Sequence, residues 1–182
     1  MVTSLHVLTV LAPDFEELEV VAPIDLMRRA GIKVCIAATG TTREVKGRNN
    51  LVLLADTLLA DVINDSFDCL FLPGGPAVAH LRQDLRIVGL IQTYSKANLW
   101  IAAICAAPVL LNDAGLLTGK RFTAHPSVVT QLPPFSDSSA VVIDGKLITS
   151  RGAGTAIAFG LSLVENLLSA EKAKEIALSI RY

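Results

Sequence analysis

LWIAAICAAPVLLNDAG, residues 99–115, is an apolar run that reaches a cysteine, passes two alanines and a proline, and then turns helical in character. The uncharged stretch LWIAAI reads as a strand buried on both faces, because such strands lose the in–out alternation of a half-exposed one. Pro108 suits the first turn of a helix, which the spacing carries to about Asn112. The stretch therefore predicts a strand-to-helix corner with Cys105 standing on it.

The same order repeats on either side. LHVLTVLA (5–12) is a first strand. Asp14, with Glu17 three residues on, predicts a capping box opening a helix that ends near Gly31. Pro23 is expected to kink or break that helix. IKVCIAA (32–38) is a second buried strand, and the turn-rich segment 39–50 suits a hairpin or surface excursion. LVLLAD (51–56) reads as a short strand and TLLADVIND (57–65) as a short helix. FDCLFLPGG (67–75) is a central strand ending in a Gly-Gly turn, followed by a helix over about 84–97. AVVIDGKLITS (140–150) predicts a hairpin with Asp-Gly at its turn. SRGAGTAIAFGLSLVENLL leads into a long apolar helix, and a last helix spans about 170–180. Strand and helix in alternation imply an α/β fold, a mostly parallel sheet covered by helices on both faces, as one domain over 1–182. Ligands in such sheets bind beyond the carboxyl ends of the strands, which here means after Ala12, after Pro73 and at Cys105.

The totals agree. The chain of 182 residues is 52% hydrophobic with net charge −1, and its mean hydropathy is +0.52. No apolar run approaches the roughly 20 residues that cross a bilayer. MVTSLHVLTVLAPDF has no basic start, so it reads as a first strand rather than a signal peptide. The charge balance gives no footprint for nucleic acid or an anionic membrane. Three cysteines, an odd number without metal-ligand spacing, argue against a disulfide framework and a zinc site, and suggest the reducing cytoplasm.

Position separates the three thiols. Cys35 and Cys69 are followed by more strand and are expected to point into packing. Cys105 ends its strand and is followed by Ala106 and Ala107, small enough for a sharp nucleophile elbow. Amides at the start of the next helix would then favour the thiolate. A packed core thiol remains the alternative. Gly75 and Ala106 N–H groups could form an oxyanion pair, although PGG also reads as a plain tight turn. Glu19, between Leu18 and Val20, either faces inward as a carboxyl of raised pKa or lies in solvent. Among His6, His80 and His125, the last is the best candidate base; His6 falls inside a strand and His80 in a polar loop.

Five stretches carry a resemblance: EELEVVAPIDLMRRAGIKV (16–34), FDCLFLPGG (67–75), AAICAAP (102–108), TAHP (123–126) and ITSRGAGTAIAFGL (148–161). In this order they resemble the ThiJ/PfpI superfamily, in the branch of the parkinsonism-associated protein DJ-one and its bacterial YajL-like relatives. The resemblance implies a flavodoxin-like, doubly wound sandwich of the class I glutamine amidotransferase type, assembled as a homodimer. It implies Cys105 as the reactive cysteine, a protonated Glu19 bonded to its sulfur, and His125 nearby. Gly74, Gly75 and Ala106 would form the oxyanion site, and Arg29 and Arg48 would lie near a dimer-shared pocket. Neither metal nor cofactor is implied. The activity implied is a glyoxalase or deglycase acting on methylglyoxal-like 2-oxoaldehydes or their adducts. The alternative is an oxidation-sensing chaperone using the same cysteine. Peptidase activity is disfavoured, because Ala106 stands where the protease-like branch carries histidine directly after the cysteine. No histidine follows His125, which also disfavours an amidotransferase.

Overall fold

The computed structural model describes residues 5–134 and 139–182, so the first four residues of the N-terminal reading lie outside it. In chain order the elements are β1 (His6–Leu11), α1 (Glu17–Arg29), β2 (Lys33–Ala38), β3 (Glu44–Lys46), β4 (Val52–Leu54), β5 (Thr57–Leu58) and α2 (Leu59–Val62). There follow β6 (Cys69–Leu72), α3 (Ala77–Gln83), α4 (Leu85–Lys96), β7 (Trp100–Ile104) and α5 (Pro108–Asp113). A 3₁₀ turn (Pro126–Gln131), β8 (Val141–Asp144), β9 (Leu147–Ser150), a second 3₁₀ turn (Ala153–Thr155), α6 (Ala156–Leu167) and α7 (Ala170–Ser179) complete the chain.

Seven strands form one sheet in the order β5-β2-β1-β6-β7-β9-β8, parallel throughout except where β8 returns antiparallel on β9. The central strands β1, β6 and β7 are covered on both faces, which is why they read as unbroken apolar runs. β1 has β2 on one side and β6 on the other. The chain therefore reverses its winding there, and the carboxyl ends of β1, β6 and β7 open onto a crevice. On one face Phe71 of β6 meets Phe159 of α6, with ring centroids 5.6 Å apart.

Local chemistry departs from the expected pattern in several places. Asp14 does not cap α1: it has φ 64° and precedes the helix, and Glu16 occupies the cap position without a side-chain cap bond. Glu17 accepts instead from Asn49, at 2.6 Å from its backbone N–H and 2.9 Å from its side-chain amide. This ties the β3–β4 hairpin to the start of α1. The LVLLAD strand pairs only with β3 in that two-stranded hairpin and stays outside the main sheet. Pro23 does not break α1, which continues to Arg29. His80 sits in α3 rather than a loop, with Nε2 3.2 Å from Asp14. Cys35 is only half-buried, whereas Cys69 is fully buried. The β8–β9 turn is Gly145-Lys146, one residue later than the Asp-Gly reading, with Gly145 at φ 61°.

α1 and α6 cross at close range because Gly160 has no side chain. A Cβ there would stand 2.7 Å from Leu26 Cδ1 and 2.9 Å from Pro23 Cα. Gly160→Ala is therefore expected to cost about 1–3 kcal/mol, as overpacking does. Gly89→Ala in α4 meets nothing within 4 Å and is expected to stabilise by up to about 1 kcal/mol through helix propensity. Urea melts of the two variants should move in opposite directions.

Candidate active site

The site is assembled from strand ends. β7 stops at Ile104, and Cys105 turns the chain with φ 66°, the left-handed region that costs a side-chain-bearing residue about 1–2 kcal/mol. Two backbone bonds hold it there: Cys105 N–H donates to Ser150 O at 2.8 Å, and Cys105 O accepts from His125 N–H at 2.8 Å. The first anchors the cysteine to the end of β9, the second to the loop before the 3₁₀ turn. Ala106 and Ala107 then lead into Pro108, the first residue of α5.

β6 delivers Gly74 and Gly75 beside the cysteine. A Cβ on Gly74 would lie 2.5 Å from Glu19 Oε2, 2.6 Å from Cys105 Cβ and 2.8 Å from Ile104 O, so only glycine fits. Its N–H donates to Glu19 Oε2 at 3.0 Å. Glu19, in the first turn of α1, is 1% exposed and hydrogen-bonds the Cys105 side chain. The inward orientation of Glu19 is thus the one the structure adopts. Gly152, beyond β9, closes the group: a Cβ there would be 3.3 Å from His125 Cδ2 and 3.8 Å from Cys105 Sγ.

Burial raises the Glu19 carboxyl from 4.5 to about 7, and the negative charge of Glu16 adds to the rise. The hydrogen bonds from Cys105 and Gly74 oppose it. Burial likewise pushes the Cys105 thiol up to about 12, reinforced by an ionised Glu19 and countered by the amides of Gly75 and Ala106. The amides act in the expected direction, toward the thiolate, but burial and the Glu19 charge outweigh them. The two groups titrate as a pair. Once Glu19 holds a proton, its charge no longer opposes the thiolate, and its hydroxyl donates to the sulfur.

These groups border a cavity of about 370 Å³ whose walls include Glu16, Arg48, His125 and Ser127. Arg48 reaches it from the hairpin tip and pairs with Glu16 at 3.0 Å. Hollows of about 400 and 520 Å³ lie near the opposite ends of β6 and β7, but neither joins a thiol to a buried carboxyl. The structure thus brings together Cys105, Glu19, His125, Gly74, Gly75, Ala106 and Arg48. It does not bring Arg29 to the pocket within this chain. Arg29 ends α1, ten residues beyond Glu19 and so about 15 Å along the axis, where it pairs with Asp25 at 2.6 Å. Sequence reasoning passed over Ser127, whose hydroxyl lies 2.8 Å from His125 Nδ1. It also missed Gly152, whose signal was the φ-permissive glycine inside SRGAGT, and the Glu16–Arg48 pair, which joins residues 32 apart.

Fold and site together define a doubly wound α/β protein with a cysteine on a strained strand-to-helix elbow, backed by a buried carboxyl. The chain belongs to the DJ-1/PfpI family, whose model matches residues 5–166. It is 42% identical over 178 residues to Protein dj-1beta of Drosophila melanogaster, covering 96% of this chain and 95% of that one. It is 34% identical over 181 residues to the glutathione-independent glyoxalase DJR-1.2 of Caenorhabditis elegans, covering 97% and 96%. The solved structure of oxidised Toxoplasma gondii DJ-1 superposes with a TM-score of 0.94 at 36% identity, covering 98% of this chain and 99% of that one.

A carboxyl raised from 4.5 to about 7 by burial makes the folded state the tighter proton binder between those values. The stability linked to Glu19 is therefore full below the lower value and lost as pH rises through the higher, by about 3 kcal/mol. Glu19→Gln keeps an acceptor for Gly74 N–H but cannot ionise. Its stability relative to wild type should rise between about pH 5 and about pH 8 in denaturant melts. A constant difference across that range would refute the assignment.

Proposed function

We propose that the chain is a cysteine-dependent, cofactor-independent enzyme of the glyoxalase or deglycase type, converting methylglyoxal-like 2-oxoaldehydes or their adducts to 2-hydroxy acids. The observation that carries this reading is the buried Glu19, raised to about 7 and bonded to the Cys105 sulfur. Isomerising a 2-oxoaldehyde needs a nucleophile for the aldehyde and a group that takes a proton from one carbon and returns it to the next.

The sulfur of Cys105 adds to the aldehyde carbon, and the thiol proton passes through Glu19 to the aldehyde oxygen. The product is a hemithioacetal, and Glu19 is left ionised. It takes the C1 proton, leaving an enediolate; the C2 oxygen then takes the proton of the C1 hydroxyl, and Glu19 returns its own proton to C2. C2 becomes the alcohol carbon and C1 the carbonyl of a thioester. Water then cleaves the thioester, releasing the 2-hydroxy acid and restoring the thiol. The Gly75 and Ala106 amides, which already act on the sulfur, would stabilise negative charge developing on the C1 oxygen. Arg48 supplies positive charge at the rim, suited to a carboxylate product.

The name of the nematode relative supports the activity. A second reading, an oxidation-sensing chaperone, is supported by the Toxoplasma protein having been solved in oxidised form. In that reading peroxide oxidises Cys105 to the sulfinic acid, and protonated Glu19 donates to one of its oxygens. The three cysteines are unpaired, which suits the reducing cytoplasm; no helix among the described residues is long and apolar enough to cross a membrane.

A homodimer completes the proposal. Leu18 and Val21 leave α1 with 59% and 43% exposure, and Leu54 on the adjoining hairpin is 60% exposed. Glu17 and Asn49 join the two elements, so these residues belong to neighbouring parts of one surface that a second copy would cover.

Purified wild type mixed with methylglyoxal, without glutathione, should release lactate. Cys105→Ser and Glu19→Gln should each lower the rate at least about 100-fold, the scale of losing a nucleophile or a positioned proton carrier. Rates equal to wild type in Cys105→Ser would sink the enzyme reading. Selective gain of two oxygens on Cys105 after mild peroxide, with negligible lactate, would favour the sensor. Sedimentation should show a dimer for wild type and a monomer for Val21→Arg; a monomeric wild type would overturn the assembly.

A further inference from the structure

The imidazole of His125 is held at one edge by a residue that the proposed chemistry does not use. Ser127 N–H donates to His125 Nδ1 at 3.2 Å, and Ser127 Oγ lies 2.8 Å from the same nitrogen. A ring nitrogen that accepts a backbone N–H carries no proton of its own. The Ser127 hydroxyl must therefore donate as well, and the lone pair of Nδ1 receives both bonds. The proton of the neutral ring is left on Nε2. The opposite edge of the ring faces the reaction centre: Cδ2, bonded to Nε2, is the His125 atom beside Gly152, at 3.3 Å from where a Cβ would stand, and that same point is 3.8 Å from Cys105 Sγ. The backbone is fixed too, since His125 N–H donates to Cys105 O at 2.8 Å.

We propose that Ser127 is a positioning residue that holds His125 as the Nε2–H tautomer, so that the imidazole offers the bound 2-oxoaldehyde a hydrogen-bond donor and not a base. This rests on the glyoxalase reading above for the identity of the substrate. A donor lining the same cavity as the sulfur suits the ketone oxygen at C2, which becomes the enediol hydroxyl. It also leaves Glu19 as the group that moves the carbon-bound proton. The order of chemistry along HPS is then explained: the proline starts the 3₁₀ turn, the turn brings Ser127 back to its own histidine, and the histidine caps the turn.

Both residues are exposed, so their substitution leaves the core untouched. Long-range proton–nitrogen NMR on the labelled protein, without substrate, reads the tautomer directly. The expected spectrum has a proton-free Nδ1 and a protonated Nε2 on His125; the reverse assignment overturns the proposal. Ser127→Ala keeps the backbone N–H that selects the tautomer, so the Nε2–H form should persist while the ring loses its hydroxyl anchor, with KM for methylglyoxal rising and kcat changing less. Ser127→Thr should restore KM. A Ser127→Ala protein with wild-type KM would show that the Ser127 hydroxyl does not position the ring. His125→Gln, which places an amide donor near Nε2 but has no basic nitrogen, should turn over about tenfold faster than His125→Ala if the ring donates. Equal loss in the two variants would restore the base and overturn the proposal. If wild type makes no lactate, the glyoxalase reading fails, while the NMR result still decides the tautomer.

Discussion

The site depends on one constraint: a side-chain-bearing residue, Cys105, is kept in a left-handed backbone conformation at the end of a buried strand. The strain is small beside what surrounds it. Its N–H is engaged by β9 and its carbonyl by the loop that carries His125, so relaxing the elbow would break two backbone bonds. The elbow also imposes requirements on its neighbours. Gly74 lacks a Cβ because Cys105, Ile104 and Glu19 already fill that space. The turn after β6 and the first turn of α1, distant in sequence, are thereby fixed within hydrogen-bond reach of one sulfur.

Burial makes the sulfur and the carboxyl reluctant to ionise, and the fold sets that reluctance to use. Burial pushes both groups up, so an unpaired thiolate there would be expensive. Each group relieves the other only when a single proton is shared between them. Glu19 raised to about 7 then exchanges that proton readily at neutral pH. The amides of Gly75 and Ala106 tilt the balance toward a charged sulfur. The activation comes from proton sharing assisted by dipoles, and the helix amides are one contributor to it.

Much of this could be read from the residues in order. Parallel strands buried on both faces announce themselves as runs such as VLTVLA and CLFL, and the corner at Cys105 follows from a strand that stops against two alanines and a proline. Glu19 was ambiguous because its neighbours on α1 are apolar on both sides, and only packing shows that it turns inward. What the chain order hid is contact between distant segments. Glu17 reads locally as a capping-box partner, yet its carboxylate is taken by Asn49, 32 residues away. LVLLAD reads as a short strand, and its local pattern does not tell that it pairs with β3 in a separate hairpin. Arg29 follows the family pattern but ends the helix away from Glu19, where Asp25 one turn earlier claims it. Ser127 escaped notice because a serine two residues after a histidine becomes meaningful only once a 3₁₀ turn folds it back.

The catalytic and sensing readings draw on the same shared proton, and what separates them is the partner that reaches the sulfur. An aldehyde adds reversibly and needs its proton moved from carbon to carbon, so it requires Glu19 to lose and regain a proton in each cycle. Peroxide needs only the sulfur lone pair, and its product is held best when Glu19 keeps its proton as a donor. A carboxyl left at its ordinary acidity would serve neither end well, being too weak a base for the first and ionised, and so repulsive, toward the oxidised sulfur in the second. Raised to the neutral range, it suits turnover in particular, because a proton carrier is most effective when both of its forms are populated. A site built only to hold an oxidised sulfur would gain from a carboxyl that stayed protonated well above neutrality. The raised Glu19 carboxyl thus has a part in either chemistry, with oxidation open to the same sulfur when no aldehyde occupies the pocket.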